Sequence, residues 1–478
     1  MPTITTQAGQ LRGSREGSLN VFRGVPYAAP PVGELRWRAP TPTPAWTGVR
    51  DATAFGAACL QKVARQEPER SLKDAAQSED CLTLNIWTPS DAQHTGPLPV
   101  MVWIHGGSFR FGAGSLASYD GSELAKRGVI VVTINYRLGL FGTFAHPSLA
   151  QDGEPGGNYG LLDAIAALRW VQSNIAELGG YPHAVTLFGE SAGGVSVGYL
   201  MASPLAAGLF RGAIIQSGGL SLPEYSRSNA EGIAANVAGV LGAKTAAELR
   251  ALPASTVRDA ETAPADTMPF VDGTIVREKM RTAFEAGRIA AIPLLIGSNS
   301  AEAGFFGPQY WQALPAQLGE RWSALRRHCF GYGTKDDDAC AEQIASEMFA
   351  GVNTRALSRG ASAVALVYAY RFGWVSPARR LTTRGAIHTA EIPYVFGHVA
   401  LDAAYDAGSR ILSHALEDAW VAFAKTGSPI RNGDDWPPFV SGRSEKLLLM
   451  GPDTEAIGRN PADGLLDTID AMALAPRP

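Results

Sequence analysis

The stretch Ala184-Val185-Thr186-Leu187-Phe188-Gly189-Glu190-Ser191-Ala192-Gly193-Gly194 decides the fold. Its first half is a short apolar run, the signature of a buried strand. Its second half matches G-x-S-x-G and leads into Val195-Ser196-Val197-Gly198-Tyr199-Leu200-Met201, a helix-compatible run. Strand, sharp turn and helix are the context a nucleophile elbow requires. The reason is steric: a serine in a strained turn needs small residues two before and two after it. The helix start then favours negative charge developing at that point. The alternative is a glycine-rich turn with an incidental serine.

Working outward, similar apolar runs end in Gly or polar residues at 99–107, 129–137, 212–219, 292–299 and 364–373. Near-continuous Val/Ile/Leu runs of this length suit strands buried on both faces, as in parallel sheets. Between two of them, Leu161, Ile165, Leu168, Val171, Ile175 and Leu178 step by threes and fours. That spacing predicts one helix face, with Gly179-Gly180 as the stop. Strand and helix alternate, so the expected class is α/β with a doubly wound, mostly parallel sheet. In such sheets ligands sit at the carboxyl ends of strands.

The other chemical motifs fall at such ends. His105-Gly106-Gly107-Ser108-Phe109 closes the run Val100–Ile104. It matches the HGGG-type loop whose backbone N–H groups hold an oxyanion, with His105 itself read as structural. In this fold the order is serine, acid, histidine. His328, His388, His398 and His414 follow Ser191. His388, in a Gly–His loop before an apolar segment, suits an imidazole projected into a cleft. Glu302, beyond the run 292–299, fits the acid; a lone loop Glu is otherwise a solvated charge. Glu391 is a second carboxylate near His388. Phe109, Phe305 and Phe306 flank these motifs and either line the cleft or pack in the core.

Composition bounds the remainder. The 478 residues exceed the prior of roughly 150 per domain, but no linker or repeat is visible. A single domain over 1–478 is expected, with cap insertions around 220–290 and 307–360. The hydrophobic fraction of 46% supplies a sizeable core. Net charge is −4, from 41 Lys+Arg against 45 Asp+Glu, so nucleic acid is not an expected partner. No apolar run of about 18 residues predicts a membrane span. The N-terminus lacks signal-peptide character, which fits a cytoplasmic chain or a trimmed mature form. Cys59 and Cys81, and Cys329 and Cys340, form two local pairs; they read as disulfides, leaning towards a periplasmic or secreted protein, or as free thiols. The charged stretch 62–80 reads as a solvated loop with one helical turn. No metal-ligand spacing is present, and no cofactor is expected.

Together these segments resemble the type-B carboxylesterases, the family of bacterial para-nitrobenzyl esterases and cholinesterases. The likeness runs from FRGVPYAAPPVGELRWRAP through SEDCLTLNIWTP, PVMVWIHGGSF, NYRLGLFGTFAHP and the elbow to GSNSAEAGFF and GAIHTAEIPYVFG. It implies an α/β-hydrolase fold and hydrolysis of a small-molecule ester by Ser191, His388 and Glu302. It also implies an oxyanion hole from the N–H groups of Gly107, Ser108 and Ala192. A Cys59–Cys81 bridge follows from the resemblance too, with Cys329–Cys340 a further candidate pair; a monomer or weak homo-oligomer is expected.

Four departures stand out. Thr389 replaces the family's usual Gly after the histidine. The acid segment reads N-S-A-E-A rather than N-x-D-E-G. Ser108 occupies the third loop position. No Trp lies between Cys59 and Cys81, which argues against a choline ester. Two other readings remain at this stage: a specialised hydrolase of amides, carbamates or a particular natural ester, and a non-catalytic adhesion relative.

Overall fold

The computed structural model describes residues 1–478 except 63–71, 73–74, 95, 151–153, 332–335, 431–435, 452–454 and 473–478. Most of the charged stretch 62–80 therefore lies outside the described residues. The chain forms two compact units, Met1–Gly212 with Glu224–Met280, and Ala213–Pro223 with Arg281–Pro478.

In the first unit, the strands run in the order Gly180–Glu190, Leu98–Ile104, Ile130–Ile134, Thr83–Pro89, Leu19–Pro26 and Ser14–Glu16. The first three are mutually parallel, and the remaining pairings are antiparallel. Ile130–Ile134 and Val100–Ile104 are buried residue by residue, as their unbroken apolar runs require. The antiparallel members were not anticipated. Thr83–Thr88 is buried residue by residue, polar Thr83, Asn85 and Thr88 included. The expected helix spans Tyr159–Asn174 and tightens into a 3-10 turn over Ile175–Leu178. Gly179 ends it at φ 83°, where a side chain would be strained.

On the buried face of that helix, Asp163 accepts from Nε and Nη2 of Arg137, both at 2.8 Å, and from the Arg137 backbone N–H at 3.0 Å. Both side chains are buried. Removing either partner would strand a buried charge, at a cost of about 3–5 kcal/mol.

The second unit orders its strands Gly212–Gln216, Leu294–Asn299, Val367–Phe372, Lys446–Met450 and Glu455–Arg459. All pairings but the last are parallel. The segments expected to be insertions are helical. Arg227–Leu241, Ala246–Ala251 and Ala254–Asp259 lie in the first unit, and Asp337–Ser346 and Val352–Ala361 in the second. Among the described residues no helix is long and apolar enough to cross a membrane.

The cysteine expectation is corrected. Cys329 and Cys340 are bonded, while Cys59 and Cys81 are free and buried. The Cys59 sulfur accepts the Leu138 N–H at 3.2 Å. The Cys59 thiol, together with burial, pushes the Cys81 thiol well above its ordinary pKa.

Candidate active site

Register builds the nucleophile end. Gly189 and Ile134 both lie opposite Ile104 across parallel pairings. The chain leaving Ile104 as His105-Gly106-Gly107 therefore emerges beside the chain leaving Gly189 as Glu190-Ser191. Ser191 adopts φ 55°, ψ −125°, a conformation that costs about 1–3 kcal/mol for a non-glycine residue. It stands at the N-terminus of the helix Ala192–Ala202, yet its hydroxyl does not cap that helix. Gly193 is obligatory for a measurable reason. A Cβ there would lie 2.0 Å from the Ile104 carbonyl oxygen.

The adjoining loop carries three consecutive left-handed residues, Gly107 at φ 109°, Ser108 at 57° and Phe109 at 60°. A Cβ on Gly107 would meet the Phe111 carbonyl oxygen at 2.2 Å. Inside the loop, the N–H groups of Arg110 and Phe111 both donate to Gly107 O at 2.9 Å. Ser108 is exposed, Phe109 is buried as part of the loop, and Ala192 is buried at the helix start. His105 has the structural place expected. It is buried, engages Gly106 O through Nδ1 at 2.8 Å, and stacks on Tyr136 at 4.5 Å.

The second unit assembles the histidine and its carboxylate. His388 Nδ1 lies 2.5 Å from Glu302 Oε2, with both side chains buried. The other oxygen, Oε1, accepts from Ser217 Oγ at 2.6 Å and from the Asn299 N–H at 2.7 Å. Strand ends place Glu302 and both donors to this oxygen. Gln216 pairs with Gly297, so Ser217 follows one strand and Glu302 the next. Hydrogen bonds join the acid and histidine loops, among them Ala301 N–H to Ala386 O at 2.8 Å, Asn299 Nδ2 to Ile387 O at 2.8 Å and Ala386 N–H to Ser300 Oγ at 3.0 Å.

Thr389 sits at φ 74°, which explains why glycine is usual after the histidine. Glu391 is fully buried and does not contact His388 in place of Glu302. Its carboxylate accepts from Asn299 Nδ2 at 2.7 Å and Gln216 Nε2 at 3.1 Å. Burial pushes this carboxyl up, and Glu302 adds to the push.

Phe305 and Phe306 stand against the imidazole of His388, with centroids 5.6 and 6.4 Å from it. Phe349 joins them at 5.5 Å. Sequence reasoning missed Phe349, Ser217 and Asn299. The last two follow recognisable strand runs; Phe349 lies in a π-helical turn, Glu347–Gly351, with no local signal. No group of three or more His, Cys, Asp or Glu placed to hold a metal occurs among the described residues.

A strained serine between a parallel strand and a helix, beside a glycine-rich strand end, defines an α/β-hydrolase. The carboxylesterase family model matches residues 1–467. Fumonisin B1 esterase of Sphingopyxis macrogoltabida is 37% identical, covering 96% of this chain and 88% of that protein. Para-nitrobenzyl esterase of Bacillus subtilis (strain 168) is 36% identical, covering 93% of this chain and 94% of that one. A solved PNB esterase superposes with a TM-score of 0.85 at 33% identity, covering 98% of this chain and 99% of the other. The chain belongs to the carboxylesterase family, and its reaction is the hydrolysis of carboxylic esters.

Proposed function

We propose that Ser191 is the nucleophile, His388 the general base, and Glu302 the carboxylate that orients and balances it. The observation that carries this reading is the Ser191 backbone, held in a strained conformation at a helix start without using its hydroxyl as a cap. Strain of this kind persists only where surrounding structure over-determines it, and it gathers at functional sites. The His388–Glu302 pair supports the same reading, because a buried carboxylate at Nδ1 fixes the tautomer and favours the imidazolium.

The mechanism follows in two steps. His388 takes the Ser191 proton as Oγ attacks the ester carbonyl carbon. The carbonyl oxygen becomes an oxyanion, held by the N–H groups of Gly107, Ser108 and Ala192. His388 returns the proton to the leaving alcohol, whose C–O bond breaks. Water then attacks the acyl-enzyme by the same route, releasing the acid and regenerating Ser191. Phe305, Phe306 and Phe349 give the His388 side an apolar wall, which supports an ester with an apolar or aryl alcohol part.

Ser191→Ala tests the assignment. Turnover of a short-chain nitrophenyl ester should fall by about 10⁴-fold or more. A fluorophosphonate probe should label the wild type at Ser191 and leave the variant unlabelled. Persistent activity in the variant sinks the assignment. A panel of esters varied separately in acyl and alcohol parts tests the aromatic wall.

A further inference from the structure

The left-handed run Gly107–Ser108–Phe109 is held from outside by few contacts, and one residue stands behind two of them. The Phe109 carbonyl accepts the Gly139 N–H at 2.7 Å. One residue on, Arg110 forms an ion pair through Nε with Glu261, the side chains being 16% and 8% exposed. The Glu261 carboxylate also packs on Gly139. A Cβ there would lie 2.3 Å from Oε2, so a side chain at this left-handed position would have to displace the carboxylate. Glu261 is in turn fixed through its own carbonyl, which accepts from Lys62 Nζ. The far end of the loop is closed by Gln61, whose Oε1 accepts the Gly112 N–H at 2.8 Å and whose Nε2 donates to Gly112 O at 3.0 Å.

We propose that Glu261 is a positioning residue for ester hydrolysis: through Arg110 and Gly139 it holds Gly107 and Ser108 with their N–H groups set for the oxyanion. The inference rests on the oxyanion assignment above. Three left-handed residues in succession, two of them bearing side chains, relax unless something outside the loop holds them. Arg110, directly after the run, gives Glu261 a charge-assisted N–H donor through Nε, and such a bond is stronger than a neutral one. Glu261 follows the short helix Ala254–Asp259, in a segment about 150 residues from the loop in sequence. The donors are therefore set by a distant part of the chain. A displaced donor weakens binding of the transition state more than of the ground-state ester, since the oxyanion forms only on attack.

The test compares wild type, Glu261→Gln, Glu261→Asp and Arg110→Lys on nitrophenyl butyrate. An aryl trifluoromethyl ketone serves as probe, because its serine adduct places an oxyanion on the same donors. Glu261→Gln should lower kcat by about tenfold or more, less than the 10²–10³ expected for a lost donor, with KM within about twofold. Affinity for the ketone should fall by the same factor, and Glu261→Asp should recover part of both losses. Should Glu261→Gln fold poorly, Arg110→Lys gives the same reading, because it keeps the charge and removes the Nε–H donor to Glu261. Unchanged kcat and ketone affinity, or a loss confined to KM, overturns the inference. If wild type binds the trifluoromethyl ketone no better than the matched methyl ketone, the oxyanion assignment itself fails.

Discussion

Ser217 donates its hydroxyl hydrogen to Glu302 Oε1 over 2.6 Å, on the oxygen that does not face His388. The Asn299 N–H shares that oxygen at 2.7 Å. The carboxylate is therefore gripped from behind while Oε2 holds the imidazole. A hydrogen bond to an ionised group is worth roughly 1.5–3 kcal/mol, and the Asn299 N–H covers part of the loss. Ser217→Ala should lower kcat about tenfold and leave KM nearly unchanged. Steady-state kinetics on a nitrophenyl ester decide it; an effect on KM alone would mean that Ser217 shapes binding instead.

Gly193→Ala should abolish the elbow rather than soften it. The added Cβ would stand 2.0 Å from the Ile104 oxygen and 2.9 Å from the His105 oxygen, both backbone atoms that no rotamer can move. Loss of fluorophosphonate labelling together with a lowered melting midpoint is expected. A variant that labels at the wild-type rate would show that the strand and helix can separate freely.

Stability should carry a pH signature from Glu391. Desolvation raises its pKa above the ordinary 4.5, opposed by the Asn299 side chain and reinforced by Glu302. The folded chain then keeps this proton over a pH range where the unfolded chain has released it. By linkage, this group's contribution to stability declines as pH rises from about 4.5 through the folded value. Glu391→Gln removes that decline. Urea midpoints of wild type and variant between pH 5 and 8 test it: the difference between them should shift in the variant's favour as pH rises, and a constant difference refutes the reading.

The thiol inventory separates the two cysteine pairs. In denaturant without reductant, two thiols should react, at Cys59 and Cys81, and four after reduction. In the native protein both free thiols should be inert, since they are buried. Cys329→Ala with Cys340→Ala should cost about 3 kcal/mol, the loop-closure worth of a short bridge. Zero reactive thiols before reduction would restore the bridge first expected between Cys59 and Cys81.

What the sequence determined by itself is chiefly local. The six apolar runs became strands because burial on both faces leaves an unbroken Val/Ile/Leu signal. The serine turn was legible because one of its glycines answers a clash within the turn itself, Gly189 against Gly193. The helix stop at Gly179 was equally local. Tertiary structure decided what depends on partners far apart in the chain. Which carboxylate meets His388 was settled by pairing strands 294–299 and 367–372, which puts Glu302 at Nδ1 and leaves Glu391 with Asn299 and Gln216. Phe349 reached the imidazole through a π-helical turn with no signature in the sequence. That Cys59 stays unbonded and accepts the Leu138 N–H is likewise not written in its spacing from Cys81. Short-range sterics are written into adjacent residues; long-range hydrogen bonds and ion pairs, such as Arg110 with Glu261, exist only once the sheet register has brought their bearers together.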